Sequence, residues 1–161
     1  MLSMDKTTTP TLSEALIDEA LLLDNQLCFA MYSASLAMTK AYKKILAPLE
    51  ITYPQYLVMM VLWEQDQVIV SELGARLFLD SGTLTPLLKR MEAMGLLKRA
   101  RDAGDERRVV VSLTDAGRAL REKARAVPVQ MSCMLPSLEQ VKNLVVELKQ
   151  VRKGLYDGEG A

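Results

Sequence analysis

Two cysteines and no histidine frame the chemistry open to this chain of 161 residues. Cys28 lies in "LLLDNQLCFAMYSASL" and Cys133 in "VQMSCMLP", 105 positions apart, so they form no Cys-x-x-Cys pair and no metal-ligating cluster. Without histidine there is no imidazole for acid–base work, no Ser-His-Asp triad and no His-bound zinc. The sequence therefore calls for no metal and no cofactor. A cysteine in an apolar run has two readings: a small buried hydrophobe, or a thiol placed to be oxidised. Asp24 is a predicted N-cap that puts Cys28 about one turn into a helix, where the helix dipole favours a thiolate although the effect fades beyond the first turn. Tyr32, four residues on, shares that face, and a phenol O–H can donate to a charged sulfur. The competing role for a tyrosine here is amphipathic packing with its hydroxyl at a surface.

A second set of residues suggests electrostatic chemistry. Between Lys89 and Arg108, Lys89, Arg90, Lys98, Arg99, Arg101, Arg107 and Arg108 face only Glu92, Asp102, Asp105 and Glu106. The stretch carries a net +3 in a chain whose 20 basic and 20 acidic side chains cancel overall. Residues 1–24 hold Lys6 against Asp5, Glu14, Asp18, Glu19 and Asp24, so charge is segregated. A helix over about residues 82–94 would set Ser81, Thr83 and Thr85 near its N-terminus to face bases in a major groove, with Lys89 and Arg90 on its flank. A hairpin tip bearing Arg107, beside Arg108, suits the narrow minor groove, whose negative potential attracts guanidinium. The alternative is a surface hairpin whose charges only solvate it.

The elements that must position these groups follow from periodicity and caps. The chain is 50% apolar but only 5% aromatic, a mix that favours helix, and its length suits one domain. Leu27, Met31, Ala34, Met38, Tyr42 and Ile45 recur at helical spacing, ending near Pro48. "ITYPQYLVMMVLWEQ" restarts a helix with Pro54 at its first position, and "SELGARLFL" follows with Ser71 as its cap. "DSGTLTPLLKRMEAMGLL" is helical through Leu84, Leu87, Leu88 and Met91 and stops at Gly95, its start constrained by Pro86. From Leu97 the pattern becomes a hairpin turning at Asp102–Asp105 and returning through Val109, Val111 and Leu113. Thr114 caps a further helix that Pro128 kinks, and a last helix after Pro136 carries Leu138, Val141, Leu144, Val145, Leu148 and Val151. The first dozen residues and the closing "DGEGA" read as frayed tails. Tandem short helices followed by a charged hairpin make a mainly α winged helix-turn-helix. Its flanking helices are too apolar to stand alone and predict a dimer interface. The N-terminus lacks a secretory signal and no apolar run spans a membrane, so a cytoplasmic protein with reduced thiols is expected.

These residues resemble the MarR family of winged-helix repressors. "DERRVVVSLTDAG" fits that family's wing pattern of Asp, any residue, Arg, then a strand ending in Leu-Thr with a nearby Gly, and the likeness spans about residues 20–155. "DNQLCFAMY", "ITYPQYL", "LDSGTLTPLLKRME" and "DERRVVVSLT" are similar to its organic-hydroperoxide-sensing branch, OhrR. The resemblance implies a single domain over residues 1–161, with a winged helix-turn-helix at about 54–113 and dimerisation helices at about 14–50 and 114–155. It implies that Arg107 enters the minor groove while Asp105 holds the wing. It implies further thiolate donors at Tyr42 and Tyr53, and a resolving role for Cys133, as in the two-cysteine type. Tyr42 lies 14 residues beyond Cys28, roughly 21 Å along a straight helix, so a Tyr42 that serves this sulfur serves a partner subunit's. The implied function is a repressor, not an enzyme, that binds double-stranded operator DNA as a reduced homodimer. Organic hydroperoxide is the inducer, acting through a disulfide from Cys28 to Cys133 of the partner subunit. Two alternatives stand beside it: a thiol peroxidase using the same Cys28 chemistry, and a MarR-type repressor sensing a small aromatic ligand.

Overall fold

The structure is a computed structural model that describes residues 13–158. Most of the expected tails, residues 1–12 and 159–161, lie outside the described residues. The chain divides into two compact units at Lys40 and Ala41, within one helix. In the N-terminal unit Ser13 caps α1 (Glu14–Ala20) by accepting from the Leu16 N–H. Asn25 and Gln26 then donate their side-chain amides back to the carbonyls of Glu19 and Ala20, at 3.0 and 3.1 Å. These bonds hold a separate 3-10 turn at Leu23–Asn25, so α2 (Leu27–Ile45) begins later than the sequence suggests. Asp24 therefore lies in that turn and is not the N-cap. The Gln26 carbonyl accepts the first helical bond, from Ala30 N–H at 3.0 Å, and Cys28 is the second residue of α2.

The C-terminal unit is built around Leu46, Val58, Met59, Leu62, Leu73, Leu84, Leu88, Met91, Leu97, Val111 and Val127, all fully buried. Each buried aliphatic side chain of this kind contributes about 1.5–3 kcal/mol by leaving water. At the start of α3 (Tyr53–Glu64) the Thr52 N–H donates to Gln55 Oε1 at 2.8 Å, and Pro54 occupies the second helical position, not the first. A strand unexpected from the sequence, β1 (Val68–Ile69), leads directly into α4 (Val70–Leu77). Pairing with the wing keeps Ile69 extended, so the helix starts at Val70. Ser71, expected as its cap, lies inside it.

The next helix, α5 (Ser81–Ala93), is capped by Asp80, whose side chain accepts from Thr83 N–H at 2.8 Å. It runs through Pro86 at its sixth residue. It ends at Gly95, whose φ of +73° suits a residue without a Cβ. There Gly95 N–H donates to the Glu92 carbonyl and Leu96 N–H to the Met91 carbonyl, a Schellman termination. The wing pairs β2 (Leu97–Arg101) antiparallel with β3 (Val109–Leu113), in register from Leu97↔Leu113 to Arg101↔Val109. Strand order is β1-β3-β2, leaving β2 at an edge.

Thr114 caps α6 (Asp115–Ala124), accepting from Gly117 N–H at 3.0 Å while its hydroxyl donates to the Gly95 carbonyl at 2.6 Å. A Cβ on Gly117 would stand 2.0 Å from the Leu96 carbonyl oxygen, so this close crossing of wing and helix admits only glycine. The helix breaks before α7 (Ala126–Ser132), because Pro128 has no N–H for the Ala124 carbonyl four residues back. After Pro136, Ser137 and Gln140 share reciprocal capping bonds at the start of α8 (Leu138–Gly158), which takes in the first two residues of the expected C-terminal tail. The fold is thus a mainly helical winged helix with a small three-stranded antiparallel wing and a long last helix. Among the described residues no helix is long and apolar enough to cross a membrane.

Candidate functional site

α4, α5 and the wing border an open groove of about 410 Å³, to which Ser81, Thr85, Arg107 and Arg108 all contribute lining. Asp80 fixes the first turn of α5, so the hydroxyls of Ser81 and Thr85, one turn apart, face the same space. Thr83, Lys89 and Arg90 are exposed on α5 but do not line the groove. Arg90 turns back, its Nε donating to the Pro86 carbonyl at 3.4 Å.

The turn from Asp102 to Arg108 is held by its own polar groups. Asp102 N–H donates to the Arg108 carbonyl at 2.9 Å, Arg108 N–H to the Asp105 carbonyl at 2.9 Å, and Gly104 N–H to Asp102 Oδ1 at 2.8 Å. Asp105 Oδ1 accepts both the backbone N–H and the Nε of Arg107, each at 3.1 Å. These bonds hold the Asp105 carboxyl below its ordinary range, helped by the nearby Arg108 charge. The Arg107 side chain is nonetheless 91% exposed, so the tip is oriented and still available. At the base of the wing, Glu92 grips Arg99 by its backbone N–H and its guanidinium.

Both thiols are free and exposed. Cys28 and Tyr32 lie in the first half of α2, and Tyr32 is 62% exposed. Cys133 caps the C-terminus of α7, its Sγ donating to the Val129 carbonyl at 3.5 Å. In the C-terminal unit Tyr42 stacks on Tyr53 with ring centroids 4.2 Å apart, and Tyr56 lies 6.1 Å from Tyr42. Burial raises the pKa of the Tyr42 hydroxyl, reinforced by repulsion from Tyr53 and Tyr56, and burial raises that of Tyr53. Both phenols therefore stay protonated, as donors, at neutral pH. Tyr42 and Tyr56 also line an apolar cavity of about 520 Å³ with Met60, Met131, Leu135, Leu138 and Val141. Among the described residues there is no cluster of His, Cys, Asp and Glu able to hold a metal ion.

Sequence reasoning missed Tyr56, although it follows Tyr53 at helical spacing and completes the aromatic group. It also missed Asp66, whose carboxylate accepts from Gln67 and Leu113 N–H and from Arg118. The only sequence signal was an acidic residue between the end of α3 and a short apolar run.

The sequence pattern of the SarA/Rot transcriptional regulators matches residues 40–124. The HTH-type transcriptional regulator TtmR of Methylorubrum extorquens (strain PA1) is 49% identical over 145 residues, covering 89% of this chain and 74% of TtmR. The organic hydroperoxide resistance transcriptional regulator of Bacillus subtilis (strain 168) is 48% identical over 134 residues, covering 83% of this chain and 87% of that protein. Among solved structures, reduced AbfR bound to DNA has a TM-score of 0.74 at 40% identity, covering 88% of this chain and 99% of AbfR. AbfR, from Staphylococcus epidermidis, is also known in a disulfide-formed state, with a TM-score of 0.65 at 38% identity over 89% of this chain and 99% of that one.

Proposed function

Because this chain belongs to the MarR/SarA family of winged-helix transcriptional regulators, we propose that it is a redox-sensing repressor that binds operator DNA as a reduced homodimer. Membership in a family of regulators sets aside the peroxidase reading. The observation that carries the proposal is the groove in which Ser81 and Thr85 of α5 meet Arg107 and Arg108 of the wing. Hydroxyls at the start of a helix suit base edges, and a guanidinium at a hairpin tip suits the adjacent minor groove. Thr83, Lys89 and Arg90 extend the contact along the same helix, and Asp105 keeps Arg107 oriented. Two copies of the groove would read half-sites about one helical turn apart. The flanking helices, about 14–50 and 114–155, supply the dimer contact. Leu16, Ile17, Leu21 and Leu22 on one side and Leu144, Val145 and Leu155 on the other leave apolar surface that a partner would cover.

Cys28 is the sensor. Its thiolate attacks an organic hydroperoxide: an S–O bond forms, the O–O bond breaks, Cys28 becomes a sulfenic acid, and the departing alkoxide takes a proton from solvent to leave as the alcohol. The sulfenic acid then condenses with the thiol of Cys133 of the partner subunit, forming the disulfide and releasing water. Tyr32, Tyr42 and Tyr53 donate to the thiolate, the last two across the dimer. The likeness to the Bacillus regulator supports this chemistry, as do the reduced, DNA-bound and disulfide-formed states of AbfR.

The test is DNA binding by purified protein before and after limiting cumene hydroperoxide, then after thiol reductant. Wild type should release and rebind, whereas Cys28→Ser should bind and stay bound. Release of the serine variant by hydroperoxide would remove Cys28 from the mechanism. One observation favours a second reading, a regulator of the same family that senses a small aromatic ligand: the apolar cavity beside Tyr42 and Tyr56. Release by such a ligand that survives Cys28→Ser would select it.

A further inference from the structure

Glu92 sits against a local rule. It is an anion in the last turns of α5, where the helix dipole favours cations, and its partner lines a groove otherwise charged by Arg107 and Arg108. Its carboxylate is committed to one residue. Oε1 accepts the backbone N–H of Arg99 at 2.9 Å, while Oε2 accepts Nε at 3.1 Å and a terminal guanidinium nitrogen at 2.8 Å. Because β2 is an edge strand, Glu92 satisfies an outward N–H that no neighbouring strand can reach. The same three bonds, led by the guanidinium, hold the Glu92 carboxyl below its ordinary range. They fasten the C-terminal end of α5 to the wing and turn the Arg99 guanidinium toward a carboxylate. Its side chain is 25% exposed, against 91% for Arg107.

We propose that Glu92 is a specificity-determining positioning residue: it locks α5 to the wing strand and withholds Arg99 from DNA phosphates. The proposal rests on the reading of the groove as a DNA interface. An arginine on a phosphate adds affinity for every sequence alike, whereas groups on base edges add it for one. Neutralising Arg99 inside the protein lowers the sequence-independent share of binding and raises the ratio of specific to non-specific affinity. The groove's grip is left to Arg107 and Arg108 on the wing and to the hydroxyls of α5.

The experiment uses the full chain and two duplexes of equal length, one selected for tight binding from a random pool and one scrambled, over a series of salt concentrations. Glu92→Gln keeps an acceptor for the Arg99 N–H but removes the charge that holds the guanidinium. It should bind the scrambled duplex several-fold more tightly and lower the selected-to-scrambled ratio. Each freed Arg99 should steepen the plot of log affinity against log salt by about 0.9 per protomer. Arg99→Ala alone should keep the wild-type slope, because Arg99 touches no phosphate when Glu92 holds it. The double variant should return to the wild-type slope, a reversal that general loosening of the fold would not produce. An unchanged slope in Glu92→Gln, or a flatter slope in Arg99→Ala, would overturn the proposal. A wild type for which the random pool yields no binding duplex would instead overturn the DNA-interface reading and this proposal with it, a result distinct from an unchanged slope in a binding protein.

Discussion

Arg107 combines two demands on a recognition side chain: it is anchored through its own N–H and Nε to Asp105, and its remaining guanidinium nitrogens face solvent. Pre-orientation lowers the entropy lost when a long side chain enters a groove. Arg107→Ala should therefore weaken operator binding by about 1–3 kcal/mol while the dimer remains folded, measured by titration at fixed moderate salt. Unchanged affinity would mean that the wing does not touch DNA. The phenols make a subtler contribution. Burial raises the pKa of Tyr42 and Tyr53 above the ordinary phenol range, and each protonated hydroxyl can donate to a thiolate. Tyr42→Phe and Tyr53→Phe should each slow the oxidation of Cys28, followed as the rate of thiol loss under limiting hydroperoxide. Rates identical to wild type for both would reduce these rings to packing, a role their 4.2 Å stacking already serves.

Three elements that are remote in sequence meet at Asp66. Its Oδ1 accepts from Leu113 N–H at the end of β3 and from Gln67 N–H, both at 2.8 Å, and its Oδ2 accepts from Arg118 on α6 at 2.9 Å. Burial opposes ionisation of this carboxyl, but the backbone donors and Arg118 outweigh it and lower the pKa below the ordinary 3.8. A carboxyl whose pKa is lower folded than unfolded contributes stability that is fully present above the unfolded value and lost as pH falls through the folded one. Asp66→Asn should accordingly cost about 2 kcal/mol at neutral pH, with the gap to wild type closing below about pH 4. Urea unfolding at pH 7 and pH 3 measures both. An equal loss at the two pH values would assign the effect to shape and not to charge.

For the dimer, the decisive question is which chains the disulfide joins. If the first long helices pair antiparallel across the interface, Cys28 of one subunit faces Cys133 of the partner subunit. Closing that bond would turn the winged units away from two half-sites that must stay about one helical turn apart. Oxidised wild type should then run as a covalent dimer on a non-reducing denaturing gel. A Cys28→Ser chain mixed with a Cys133→Ser chain should still form one link, and wild type mixed with the double variant should form none within the mixed pair. Oxidised wild type that migrates as a monomer with an internal disulfide would overturn the cross-chain arrangement while leaving the thiol chemistry intact.

The features legible in the sequence are those whose physical cause is contained in a few neighbouring residues. Gly95 ending α5, the wing turn at Asp102–Asp105 and Thr114 opening α6 each depend on bonds between groups at most six positions apart, apart from the Thr114 hydroxyl, whereas the start of α5 at the Asp80 cap was not read from the sequence. Together with helical periodicity they were enough for a winged helix with basic residues on its wing. Other features come from groups that meet only after packing. β1 is two residues long and exists because β3 runs beside it, and the same pairing displaces Ser71 from the cap position. Asp66 meets partners 47 and 52 positions away, and Trp63 Nε1 donates to the Gly117 carbonyl 54 positions on. Glu92 and Arg99 are near in sequence, but the glycine turn between them had to set the angle at which helix and strand meet before their charges could pair. Caps and periods are written in local composition. The acceptor that a buried or edge N–H will find is decided by which strand or helix the folded chain brings beside it.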